Sequence, residues 1–141
     1  MRTIERTTGV EIPTGSVVLR TVGLTLMTAA IHVSLGGLLF LANAVGYTTL
    51  AVAMILPGPL GRVRWLVRLA LLGFTAATIG GWVLFGARFP LAYLDKTIEL
   101  GLIAAVAVEL WRIDGGPLGV VRRARGLIAR ITGMQPARGQ Q

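Results

Sequence analysis

Apolar positions along this chain gather into four long runs, and the breaks between the runs are as informative as the runs themselves. They extend over residues 16–35, 37–56, 65–86 and 91–112. Each is about 20 residues, the length a helix needs to cross a hydrocarbon layer of about 30 Å with every backbone group bonded internally. Gly36-Gly37 permits a tight turn with no polar loop, because glycine takes positive φ without steric penalty. Pro57-Gly58-Pro59-Leu60-Gly61 cannot continue a helix, and Phe89-Pro90 breaks the chain before the fourth run. The first two runs should therefore form a helical hairpin. Carrying the first run through Leu41 instead leaves only about 15 residues for the second, which is short for a span.

A different pattern follows the fourth run. Between Val120 and Ile131 a helical projection gathers Val120, Val121, Ala124, Leu127, Ile128 and Ile131 on one side and Arg122, Arg123, Arg125 and Arg130 on the other. This predicts a basic amphipathic helix within 114–133, lying in the membrane interface with its arginines on anionic headgroups. Asp114-Gly115-Gly116 supplies a hinge and Pro117 a helix start. Residues 1–15 read as an N-terminal arm and 134–141, with no core-forming pattern, as a disordered tail. The expected fold class is all-α, a four-transmembrane-helix bundle with a C-terminal amphipathic interfacial helix.

Charge adds orientation. The chain has 141 residues, 54% of them apolar and only 14% charged, where a soluble domain would carry about a quarter charged. Twelve of its 14 basic residues lie in three stretches: Arg2, Arg6 and Arg20; Arg62, Arg64 and Arg68; Arg112, Arg122, Arg123, Arg125, Arg130 and Arg138. Only Arg88 and Lys96 fall on the opposite side. Loops rich in Lys and Arg stay cytoplasmic, so both termini are expected in the cytoplasm of a multi-pass protein of the cell membrane. The net charge of +8 follows the bilayer-facing loops and argues for lipid rather than nucleic acid as partner. Trp65 and Trp111 mark the inner boundary and Trp82, Phe85, Phe89 and Tyr93 the outer one, leaving Tyr47 as a mid-span exception. An Arg-bearing start before an apolar run also suits a signal peptide, but this run is long for one and passes almost directly into the next.

Small residues repeat at four-residue spacing on the third run, Gly73, Ala77 and Gly81, and Gly101 with Ala105 offers a facing surface on the fourth. Packing inside the bundle is the expectation, with a homo-oligomer contact or a ligand slot as the alternative.

Chemistry, if any, resides in polar residues inside the runs, where a charge costs roughly 2.5–3.5 kcal/mol at mid-helix. His32, Asn43, Asp95, Lys96 and Glu99 all approach the outer side and form a candidate polar cluster with Arg88 at its mouth. Helical spacing sets Lys96 between Asp95 and Glu99. One reading is a structural ion pair whose Lys96 snorkels outward. The other requires His32 to reach Asp95 or Glu99, which would set a titratable imidazole beside a carboxylate, the makeup of a proton relay. No cofactor or metal is expected: His32 is the one histidine, Cys is absent, and only Met27 or Met54 would remain as a second haem ligand. Glu109 and Arg112, three apart, are expected to pair. Thr25, Thr28, Thr75 and Thr78 can return their hydroxyls to their own helices. No phosphate-binding loop, dinucleotide fingerprint, nucleophile elbow or zinc-protease motif occurs, so enzymatic activity is not indicated.

Three motifs carry a resemblance: Ile31-His32 closing the first run, Asn43-Ala44-Val45-Gly46-Tyr47 in the second, and Asp95-Lys96-Thr97-Ile98-Glu99 opening the fourth. Together, over about residues 17–112, the chain resembles a family of small uncharacterised four-helix integral membrane proteins of archaea and bacteria. It is more loosely similar, in architecture alone, to DoxX-like membrane proteins. The resemblance implies a four-helix bundle and the same five polar positions, without an activity. Two functions are thus expected. A non-enzymatic accessory or self-associating bundle accounts for every feature without chemistry. The alternative is a proton- or small-solute-handling component that uses the outer polar cluster, working as a homo-oligomer or within a larger membrane complex.

Overall fold

The computed structural model describes residues 14–57, 61 and 63–133. The expectations for the arm before residue 14, for Gly58-Pro59-Leu60, for Arg62 and for the tail 134–141 lie outside the described residues. Among the described residues five helices follow in order: α1 (Thr14–Leu35), α2 (Leu38–Ile55), α3 (Arg64–Phe85), α4 (Pro90–Arg112) and α5 (Gly116–Ile131). The first four agree with the apolar runs to within two residues at each end. Arg20, grouped with the arm by its charge, lies inside α1 and is exposed.

Local chemistry accounts for the breaks. Gly36 and Gly37 adopt φ of 66° and 84°, so α1 turns into α2 through two residues in a region that L side chains rarely occupy. Pro90 opens α4 at its first turn, where no backbone N–H is needed. Gly115, at φ 81°, bends the chain between α4 and α5, as the hinge predicted.

α1 packs on α2 and α4, and α3 packs on the same two helices, closing a ring around one core. Short links make chain neighbours antiparallel. The Gly36-Gly37 turn and the 86–89 loop share one end of the bundle, here the hairpin end. The end of α2, the start of α3 and the start of α5 share the other, the tail end. Tyr47, Leu71, Leu102 and Val106 fill the centre with Ala29, while Val22, Ala51 and Met54 form a second buried cluster. Between α2 and α3 the approach depends on Gly46, since a Cβ there would stand 2.5 Å from the Phe74 ring.

Polarity is inverted relative to a water-soluble bundle. Thr21, Thr25, Thr28, His32, Arg68, Thr75, Asp95, Lys96, Glu99, Glu109 and Asp114 are all buried, while Leu19, Leu38, Leu39, Val45, Leu84 and Phe85 are each at least 66% exposed. Three helices, α1, α2 and α3, are long and apolar enough to cross a membrane.

One packing expectation is corrected. A Cβ added at Gly73, Gly80, Gly81 or Gly101 would meet nothing within 4 Å, so this small-residue surface does not join helices inside the bundle. Its upper part, Ala77 and Gly81, borders a cavity instead.

Candidate functional site

The buried polar groups form two clusters, one towards each end. At the tail end Arg68 of α3 is the organiser. Its Nε donates to Glu109 Oε2 at 2.7 Å and its Nη1 to Asp114 Oδ2 at 2.9 Å. Thr21 of α1 donates to Glu109 Oε1, and Arg123 of α5 brings Nη1 to 3.1 Å from Asp114 Oδ1. Two guanidinium groups thus face two carboxylates. This overturns the Glu109–Arg112 pair expected from helical spacing: Glu109 turns into the core towards Arg68, and Arg112 is exposed. Arg123, expected among lipid-facing arginines, is used partly on Asp114 and on the carbonyl of Ile113 at 3.3 Å.

At the hairpin end α4 presents Asp95, Lys96 and Glu99 inward. Lys96 Nζ lies 2.9 Å from Asp95 Oδ2 and 2.6 Å from Glu99 Oε2, the cation between carboxylates that the spacing predicts. Outward snorkelling is not what the side chain does, for Lys96 is only 8% exposed. The remaining carboxylate oxygens are held by hydroxyls. Thr28 donates to Asp95 Oδ1 at 2.6 Å. Tyr47 donates to Glu99 Oε1 at 2.8 Å and lies 2.8 Å from Thr78 Oγ1, itself 3.0 Å from the same oxygen.

His32 completes the group. Its Nδ1 is 2.9 Å from the carbonyl oxygen of Thr28. A carbonyl only accepts, so Nδ1 carries a proton, and in the neutral ring Nε2 is the basic nitrogen. Nδ1 is 3.6 Å from Asp95 Oδ1, and Nε2 faces Glu99 Oε1 at 4.0 Å. The relay reading requires His32 to reach Asp95 or Glu99; the ring nitrogens lie 3.6 Å and 4.0 Å from these carboxylates, in ion-pair range and beyond hydrogen-bond distance. Phe40 and Tyr47 pack tilted against the ring, at centroid separations of 5.9 and 5.5 Å.

His32, Asp95 and Glu99 offer ligand atoms within 4.8 Å of one another, which is metal-binding geometry. Their oxygens, however, are already satisfied by Lys96, Tyr47, Thr28 and Thr78, and the Lys96 ammonium stands where a cation would bridge the carboxylates. The carboxylate oxygens are therefore satisfied by protein groups, and of the three residues' ligand atoms only Nε2 of His32 lacks a hydrogen-bond partner among the described residues.

Beside this cluster is a cavity of about 410 Å³ between α2, α3 and the hairpin-end loops. Leu39, Phe40, Phe74, Trp82, Phe85 and Phe89 supply most of its wall, and His32, Asn43, Thr78, Asp95 and Lys96 its polar end. Asn43 joins the site here rather than in the ion network: its side chain has no hydrogen-bond partner among the described residues. Arg88 stacks over Trp82, 4.1 Å from the ring centroid, and donates to the carbonyl of Val83 at 2.8 Å. A Cβ at Gly86 would run into the Trp82 ring, so glycine there lets the indole fold against the loop.

Sequence reasoning named His32, Asn43, Asp95, Lys96 and Glu99 but missed Tyr47, Thr28 and Thr78. The signal for Tyr47 was present as an aromatic residue out of the interfacial belts. The threonines gave none, since Thr25 and Thr75 do bond their own helices, to Thr21 O and Leu71 O. The chain matches no protein-family model, no curated protein and no solved structure.

Proposed function

We propose that this chain is a four-span membrane protein that holds a small molecule in the outer half of the bilayer and links its binding to a proton on His32. The observation that carries this reading is the one histidine set between Asp95 and Glu99 at the polar end of a cavity of about 410 Å³.

α4 is the span that composition alone would disqualify, because it contains Asp95, Lys96, Glu99 and Glu109. All four are buried against other helices, while Leu91, Leu94, Leu100, Val108 and Trp111 face outward. Lipid would therefore meet an apolar surface, which supports a fourth crossing. The arginines of the tail end, against Arg88 at the hairpin end, support cytoplasmic termini. Leu118, Val121, Ile128 and Ile131 of α5 are exposed beside Arg122, Arg125 and Arg130, a distribution suited to an interfacial helix on anionic headgroups. The resemblance to small four-helix membrane proteins agrees with this topology and brings no activity.

The proton enters by charge counting. With His32 neutral, Asp95, Lys96 and Glu99 leave the cluster at net −1. A proton on Nε2 brings it to zero and aims an N–H at Glu99. A ligand beside the imidazole then meets either an acceptor or a donor, so binding and protonation are linked.

The single histidine makes the test clean. Protein labelled with ¹⁵N-histidine in lipid nanodiscs gives one pair of ring signals. The expected result is the Nδ1–H tautomer in base, a reversible change of both ring nitrogens on acidification, and an altered response in Glu99→Gln. A ring that ignores pH, or responds identically in Glu99→Gln, overturns the proposal.

A second reading, the accessory or self-associating bundle, is favoured by the open surface at Gly73, Gly80 and Gly101, where another helix can approach closely. Native mass spectrometry of protein extracted from its own membranes tests it: a defined complex supports this reading, and a monomer with lipid alone removes it.

A further inference from the structure

The proposed ligand site also constrains what the ligand can be, and the following rests on that reading of the cavity. The hydrogen-bonding groups left over at the polar end decide the chemistry. Lys96 has three ammonium protons and directs two towards Asp95 and Glu99, leaving one. Asn43 offers an unpartnered amide at the same end. Both oxygens of Asp95 are taken, by Thr28 and by Lys96. What remains is three N–H donors, one on Lys96 and two on Asn43, beside the Asn43 carbonyl oxygen, so an acceptor on the ligand finds the larger set of partners.

Charge narrows this further. An anionic head would add to a cluster already at net −1 while His32 is neutral. A cationic head would meet the Lys96 ammonium, which lines the cavity beside Asp95. A neutral acceptor, a carbonyl oxygen, meets neither objection. The rest of the wall is apolar and strongly aromatic, with Phe40, Phe74, Trp82 and Phe89 around the volume, and such walls suit a flat ring system by edge-to-face and offset contact. Ala77 and Gly81 keep the slot open: a Cβ at Gly81 would meet nothing within 4 Å.

We infer that the cavity binds a neutral, lipid-soluble ring compound bearing a carbonyl, the oxygen held by Asn43 and Lys96 and the ring by the aromatic wall. The carbonyl then lies at the polar end that His32 also lines, so the His32 ring signals report occupancy.

The test uses two probes of nearly equal shape, benzophenone and diphenylmethane, which differ by the carbonyl. Each is titrated into the ¹⁵N-histidine-labelled protein in nanodiscs, with the His32 ring signals as readout. Benzophenone is expected to shift them saturably and to bind about tenfold more tightly than diphenylmethane, the size of one good hydrogen bond. Asn43→Leu should reduce that preference to within about twofold while diphenylmethane still binds. Ala77→Leu, which fills the slot from a position without a role in the ion network, should abolish saturable binding of both. Equal affinities for the two probes in the unaltered protein overturn carbonyl recognition and leave an apolar, acyl-chain-like occupant. Absence of a saturable shift with either probe, in protein whose His32 still responds to pH, also overturns the inference while the proton-linked reading stands.

Discussion

The two buried polar clusters share a bundle and most of their ingredients, yet they are built for different ends. Each sets two carboxylates against cations and borrows threonine hydroxyls from α1. At the tail end the cations are Arg68 and Arg123, guanidinium groups that remain charged in a protein. Arg68 bridges Glu109 to Asp114, so three elements converge on one planar, multiply bonded group. At the hairpin end the cations are Lys96 and, when protonated, His32. With its carboxylates ionised the first cluster sums to zero; with His32 neutral the second sums to −1, and it borders an open cavity. Neutralising charge needs only the first arrangement. The proposed proton-linked site rests on the second, which adds an imidazole beside its carboxylates.

Removing the corresponding cation from each end would break this comparison most sharply. Arg68→Met leaves Glu109 and Asp114 buried without their bridge. It should cost about 3–5 kcal/mol or prevent stable insertion, seen as a collapse of monodisperse protein in detergent and a large fall in unfolding temperature. Lys96→Met should cost less, roughly 1–3 kcal/mol. The hydroxyls of Thr28, Tyr47 and Thr78 still serve Asp95 and Glu99, and His32 stands within 4.0 Å of Glu99 to take up a proton. Equal losses in the two variants, by denaturant or thermal unfolding, would erase the distinction between the clusters. Arg123→Ala sharpens it from the weak side. That side chain is 46% exposed, so its removal should change global stability by no more than about 1 kcal/mol. The effect should instead be local, as faster hydrogen exchange across Gly116–Ile131 with α1 to α4 unchanged.

The contrast also explains which site residues were legible. Asp95, Lys96 and Glu99 stand out because charges within an apolar run need a reason, and their spacing is local to one helix. His32 is conspicuous as the one histidine. Tyr47 is marked only as an aromatic residue away from the interfacial belts, and the two threonines carry hydroxyls that a helix can satisfy by itself, so nothing in one dimension says that Thr28 turns to Asp95 while Thr25 turns to its own backbone. Arg68 misled in the opposite way. It counts as a loop arginine for topology, and it is also the buried partner of a carboxylate 41 positions later.

By itself the sequence determined the helices and their breaks, because a chain in lipid must satisfy its backbone locally and glycine and proline act on their own residues. Gly36, Gly37 and Pro90 do so here whatever the rest of the molecule does. It also determined which residues would need protection from lipid. Tertiary structure alone decided how that protection is given: Glu109 turned to Arg68 rather than Arg112, α4 made apolar on its outer face by burying its charges, and small residues left open beside a cavity rather than packed. Hydrogen bonds and ion pairs between helices depend on rotation and depth of each helix in the ring. A helical repeat in sequence specifies which residues share a face, and only packing specifies what that face meets.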